Sequence, residues 1–147
     1  ESPLGADLAL LMARHTADMH ADTPPESIHM MDAGQLAVPQ VAFFVLREAG
    51  VAQAMGAFKR LSGSHAEIKS MHVLAEARGR GLSKAMLDHL ILEARAAGVT
   101  QLSLETGVQP TFVAARALYT KAGFTECPPF EGYVEDPNSV FMTRSLA

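Results

Sequence analysis

The sequence predicts a single mixed α/β domain of the α+β kind, with helices packed on a central, mostly antiparallel sheet. Three observations carry this. Segments 41–48, 51–61 and 66–74 read as strands joined by short turns, and an antiparallel meander is their simplest pairing. At residue 75 the pattern changes: a loop rich in Gly and Arg leads into Leu82, Met86, Leu90, Ala94 and Ala97, which recur at helical spacing. The 147 residues, 48% apolar and 19% charged, suffice for one hydrophobic core and are few for two. No repeat, low-complexity tract or interdomain linker interrupts them, so residues 1–147 are read as one domain.

The elements follow in order. Leu8, Leu11, Met12 and Met19 share one face of a helix over residues 4–19. Thr23-Pro24-Pro25-Glu26 opens a second helix, to about residue 36: Thr23 can cap, Pro24 suits the first helical position, and Glu26 completes a capping box. The strand at 41–48 is dense in Val, Phe and Leu. Ala49-Gly50 turns it into 51–61, and Ser62-Gly63-Ser64 turns that into 66–74. After the loop at 75–80 comes a helix over 82–97, stopped by Gly98. A strand at 101–105 places Leu102 and Leu104 on one face. A helix over 111–122 ends at Gly123, a short strand begins at Phe124-Thr125, and 140–144 is the last strand.

The formal net charge of −4 argues against a nucleic-acid surface built on bulk positive charge. Cys127 is the single cysteine, so there is no internal disulfide, Cys/His metal spacing is lacking, and a reducing compartment is the natural reading. No apolar run approaches bilayer-spanning length, and no signal-peptide pattern is visible. The expected setting is cytoplasmic, with no nucleic-acid partner, no membrane partner and no metal.

The stretch from Met71 to Lys84 is the most informative. A strand runs into a loop, and the loop opens a helix. The first turn of a helix carries N–H groups without internal partners and a partial positive charge. Gly79 and Gly81 remove side chains that would block close approach, and Arg78, Arg80 and Lys84 add full charges. Together these suit a pyrophosphate. The plainer reading is a shaped turn with solvated arginines. A Walker spacing is not found, and a dinucleotide fingerprint would need a third glycine where Lys84 stands. Glu105 does lie near the distance at which such a fold meets a ribose, but strands 41–74 and one βα unit make a poor doubly wound sheet.

At this point the sequence resembles the GCN5-related N-acetyltransferases, the GNAT superfamily. Their cofactor motif is Gln or Arg, two residues, Gly, one residue, then Gly or Ala. Here it reads Arg78-Gly79-Arg80-Gly81-Leu82-Ser83, with Ser83 departing at the last position. Leu118-Tyr119 followed by Gly123-Phe124 is similar to a second region of the family. A closer similarity is to the YsnE-like acetyltransferases, carried by Pro24-Pro25-Glu26-Ser27-Ile28-His29, Glu67-Ile68-Lys69-Ser70-Met71, Leu102-Ser103-Leu104-Glu105-Thr106-Gly107 and Glu135-Asp136-Pro137-Asn138-Ser139-Val140-Phe141-Met142. The resemblance covers nearly the whole chain. It implies the GNAT fold: a sheet splayed between its two middle strands and flanked by about four helices. The family's first strand has no clear counterpart and is expected to lie before Glu1.

The resemblance also implies the chemistry. Acetyl-CoA is the cofactor, and its pantetheine lies in the splay beside the backbone of the strand holding Met71, His72 and Val73. Its pyrophosphate sits on Arg78, Gly79, Arg80, Gly81, Leu82, Ser83 and Lys84. The acetyl group passes by direct attack of an amine on the thioester. Tyr119 matches the tyrosine that protonates the departing sulfur; otherwise it packs in the core. Glu67 lies eleven positions before Arg78, the offset of the catalytic glutamate in the histone-acetylating branch, and is the candidate base. The competing reading pairs it with Lys69, whose side chain shares its face.

On the acceptor side stand His29, Glu105 and Lys69. His29 lies in a segment resembling the acceptor wall, Glu105 at a strand end can bind an amine or cap a turn, and Lys69, with Lys59 and Arg60, can attract a carboxylate. His20 and His72 read as packing or surface residues. Phe112 stands where many members carry an asparagine. Cys127 reads as a small inert residue or a lining of the acceptor pocket. The expected activity is N-acetylation of a small molecule or peptide amine, and a homodimer is possible, as is common in the family. The alternative is a non-catalytic acyl-CoA-binding or regulatory module.

Overall fold

The computed structural model describes residues 5, 8–22, 37–74, 81–108, 112–130, 133 and 135–146. Its elements are α1 (Ala9–Asp22), β1 (Val41–Glu48), β2 (Val51–Arg60), β3 (His65–Val73), α2 (Leu82–Ala96), β4 (Gln101–Gly107), α3 (Val113–Lys121), β5 (Thr125–Cys127) and β6 (Ser139–Ser145). The described residues thus hold three helices where about four were expected; the helix read over 23–36 lies outside them. β4 runs to Gly107, two residues past the expected end.

The six strands form one sheet in the order β1-β2-β3-β4-β6-β5. β1, β2 and β3 pair antiparallel, as the meander requires. β3 and β4 are parallel, with α2 as the crossover such a pair needs. β4, β6 and β5 complete the sheet with antiparallel pairs.

The core lies on both faces. α2 buries Met86, Leu90 and Ala94 of the expected stripe together with Leu87 and Ile91, which the spacing did not name, while Leu82 is half-buried and Ala97 is exposed. Phe44 on β1 meets the His89 ring of α2 with centroids 4.9 Å apart, and Phe44 is the register partner of Gly56. Alternation turns the neighbouring Met55 to the opposite face, together with its partner His72. There His72 meets His15 of α1, ring centroids 5.4 Å apart.

The middle of the sheet is open at one end. β3 and β4 pair only through His65↔Gln101, Ala66↔Leu102 and Glu67↔Ser103. Beyond these, β3 stays with β2 up to Ala54↔Val73, while β4 stays with β6 to Gly107↔Ser139. A bulge marks the parting. Ser70 and Met71 together oppose Gly56, because Met55 pairs with His72 and Ala57 with Lys69. Ser70 takes a positive φ of 57°. Such a bulge bends its strand and ends regular pairing, which carries β3 away from β4.

Candidate active site

The cleft between β3 and β4 is bordered by main chain on the β3 side. The Leu74 N–H donates to the Gln53 carbonyl of β2 at 2.9 Å, so alternation directs the Val73 N–H and C=O to the side where β4 departs. His72, the register partner of Met55, turns its own N–H and C=O toward β2, and its buried side chain packs against His15 of α1, so the structure does not bring it to this cleft as the sequence reading expected.

Tyr119 enters from α3. It is 7% exposed, packs its ring on Phe124, and donates its hydroxyl to Met71 Sδ at 3.6 Å. Burial pushes its phenol up to about 12. The hydroxyl therefore holds its proton at neutral pH. α3 is tied to the far end of β4 by Arg116, whose guanidinium donates to the Gly107 carbonyl at 2.6 Å. Phe112 precedes α3 as a residue without a side-chain cap.

Glu67 stands at the last paired position of β3 and is 3% exposed. A buried carboxylate requires partners. Lys69 Nζ lies 3.2 Å from its Oε2, and the Tyr133 hydroxyl donates to the same oxygen at 2.7 Å. Lys69 in turn donates to the Tyr133 hydroxyl at 2.6 Å, with its side chain 11% exposed. The ion pair weighed as the alternative role of Glu67 is thus present. Burial, then the charge of Glu67 and its hydrogen bond, then the charge of Glu105 hold the Tyr133 phenol far above its usual range. Glu105, opposite Phe141 on β6, is thereby brought to the same group. Beside them His65 Nε2 contacts Ser103 Oγ at 2.8 Å, and Ser103 contacts Thr143 Oγ1 at 2.8 Å.

The α2 end of the cleft begins at Gly81, whose φ of 76° is left-handed and suits glycine. Among the described residues no side chain caps this helix, and the leading N–H groups at Leu82, Ser83 and Lys84 belong to the first turn of a helix, which suits an outside acceptor. Lys84 itself pairs with Asp88 one turn on, at 2.7 Å on the surface. Arg78, Gly79, Arg80 and His29 lie outside the described residues. Cys127 lines a cavity of about 570 Å³ together with Glu126, Glu135, Asp136 and Phe141, and burial raises its thiol. No helix among the described residues is long and apolar enough to cross a membrane.

A splayed parallel pair, an uncapped helix start on a left-handed glycine and a buried tyrosine facing the splay fit an acyl-CoA site. Residues 10–124 match the acetyltransferase (GNAT) family. The chain belongs to the GNAT family. The Bacillus subtilis protein named uncharacterized N-acetyltransferase YsnE is 42% identical over 142 residues, 97% of this chain and 94% of its own length. The IAA acetyltransferase of Azospirillum brasilense is 39% identical over 151 residues, 99% and 95% of the two chains. Among solved structures, a proposed acyl-CoA N-acyltransferase of Klebsiella pneumoniae superposes with a TM-score of 0.81 at 28% identity, covering 100% of this chain and 94% of its own. Acetyl-CoA is the acyl donor used by the GNAT family.

Within this GNAT chain, sequence reasoning missed Tyr133. Its segment carries no periodicity, and its partner Glu67 is 66 residues away. The available signal was chemical: a carboxylate placed inward on a central strand calls for a donor from another element.

Proposed function

We propose that this protein is an acetyl-CoA-dependent N-acetyltransferase that moves an acetyl group directly onto an amine of a small molecule or peptide. The observation that carries this reading is the parting of β3 from β4 just beyond Glu67, with the Tyr119 hydroxyl facing Met71 on the departing strand. Acetyl-CoA supplies the acetyl group as a thioester. Main chain at Met71 and Val73 lines the pantetheine arm, and Gly81, Leu82, Ser83 and Lys84 at the start of α2, preceded by Arg78, Gly79 and Arg80, hold the pyrophosphate.

Glu67 takes the proton that the amine loses as its nitrogen bonds to the carbonyl carbon. Tyr119 gives its proton to the sulfur as the carbon–sulfur bond breaks, and is reprotonated from solvent as Glu67 releases the proton taken from the amine. Glu105 and the Lys69 region border the acceptor. The products are an amide and a free thiol.

Calorimetry with acetyl-CoA, followed by thiol release against a panel of primary amines and IAA, the compound named in the Azospirillum relative, tests the reading. Binding plus amine-dependent thiol release is expected. Binding with no turnover on any acceptor would instead support a non-catalytic acyl-CoA module. Binding of NAD without binding of CoA would overturn both.

A further inference from the structure

The two contacts on the Glu67 carboxylate converge on one oxygen. Tyr133 donates to Oε2 at 2.7 Å and Lys69 Nζ lies 3.2 Å from that same atom; among the described residues neither contact uses Oε1. Lys69 also donates to the Tyr133 hydroxyl at 2.6 Å, which closes a triangle of amine, phenol and carboxylate. The Lys69 ammonium lies 5.3 Å from the Tyr133 ring centroid, so it engages the ring as well as the hydroxyl.

Tyr133 is anchored at its other end by aromatic packing. Its ring centroid lies 5.4 Å from that of Phe130 and 5.6 Å from that of Phe141. Phe130 and Phe141 also meet each other edge-on at 5.8 Å. An anchored ring sets the position of its hydroxyl, and the hydroxyl sets the rotation of the carboxylate.

We propose that Tyr133 and Lys69 are positioning residues that grip Glu67 by Oε2 and so present Oε1 to the acceptor amine. This rests on the reading of Glu67 as the base. A base works when its accepting oxygen is aimed at the proton before the reaction starts, and misplacement of such groups lowers rates steeply. Lys69 compensates the buried negative charge, and Tyr133 supplies the direction. The charged and titratable groups around the triangle are Lys59, the register partner of Glu67 on β2, His65 on β3, and Glu105 on β4.

The test has a spectroscopic arm and a kinetic arm. The chain has two tyrosines and no tryptophan, so in Tyr119→Phe the tyrosine fluorescence reports Tyr133 alone. A phenol that donates to a carboxylate is quenched, so adding Glu67→Gln at neutral pH should raise this emission. Unchanged emission overturns the triangle. In the kinetic arm, thiol release from acetyl-CoA is followed with the primary-amine panel. Tyr133→Phe and Lys69→Met should each lower kcat by about tenfold to a hundredfold, with KM for acetyl-CoA within about twofold. Tyr133→Phe should add nothing once Glu67→Gln is present. If Glu67→Gln turns over like the parent, the base reading fails and takes this proposal with it. If Glu67→Gln is slow but Tyr133→Phe is not, or if the two losses simply multiply, the positioning role alone fails. Should Tyr133→Phe not fold, the spectroscopic arm decides.

Discussion

The Tyr119 hydroxyl on α3 points at the Met71 sulfur on β3, 3.6 Å away, on the stretch of β3 that no longer pairs with β4. The contact joins the helix after the cleft to the strand before it. It also puts a proton donor opposite the β3 main chain that lines the cleft.

Tyr119→Phe keeps the buried ring and removes only this donor. Turnover should fall by about a hundredfold, because proton donation to a leaving group contributes on that scale. Acetyl-CoA affinity should change little, since the ring still packs on Phe124. Steady-state thiol release and calorimetry on the same preparation check both halves. Equal turnover would remove Tyr119 from the mechanism.

The same residue makes stability depend on alkaline pH. Its phenol is raised from 10.0 in the free chain to about 12 in the fold by burial. Below pH 10 both states keep the proton and the contribution is intact. Between 10 and 12 the unfolded chain ionises first, so stability falls as pH rises, by about 3 kcal/mol in all. Urea unfolding at pH 9 and at the alkaline limit should show a smaller loss for Tyr119→Phe than for the parent. A loss of the same size would mean that the burial seen here does not govern the titration.

Much of this was legible in the residues. The meander showed because its three strands are joined by short turns, and α2 showed because it carries an apolar stripe of clear period. The pairing of Glu67 with Lys69 was legible too, since positions two apart on a strand share a face. The bulge was not, because Ser70 adopts a left-handed φ without the glycine or asparagine that announces one. Tyr133 was hidden for a different reason. Its contact with Glu67 exists only once the sheet has brought β3 and β6 into one surface, and no local spacing encodes that.

Ser70 should therefore be a strained position. Its φ of 57° disfavours a residue with a Cβ, and its Oγ is buried with no hydrogen-bond partner among the described residues. Ser70→Gly relieves both and should stabilise the fold by about 1 kcal/mol, after allowance for the extra freedom of glycine in the unfolded chain. Ser70→Ala removes only the hydroxyl and should give part of that gain. Ser70→Val places a branched side chain in the same backbone and should be destabilising. The order Gly, Ala, Ser, Val in urea midpoints is the expected series, and Gly falling below Ser would argue against a strained bulge.

Two glycines at opposite ends of α2 separate backbone strain from ligand binding. Gly81 has a φ of 76° and Gly98 a φ of 85°, and a Cβ on either would meet no atom of the described residues within 4 Å. Alanine at each site therefore loses only conformational energy, about 1 kcal/mol in either case. The two variants should unfold at similar urea concentrations. Their acetyl-CoA affinities should differ, because Gly81 sets the approach of a pyrophosphate to the first N–H groups of α2 whereas Gly98 closes the helix at its other end. Calorimetry should show Gly81→Ala weakened by about tenfold and Gly98→Ala close to the parent. Equal affinities for the two would move the pyrophosphate away from the start of α2.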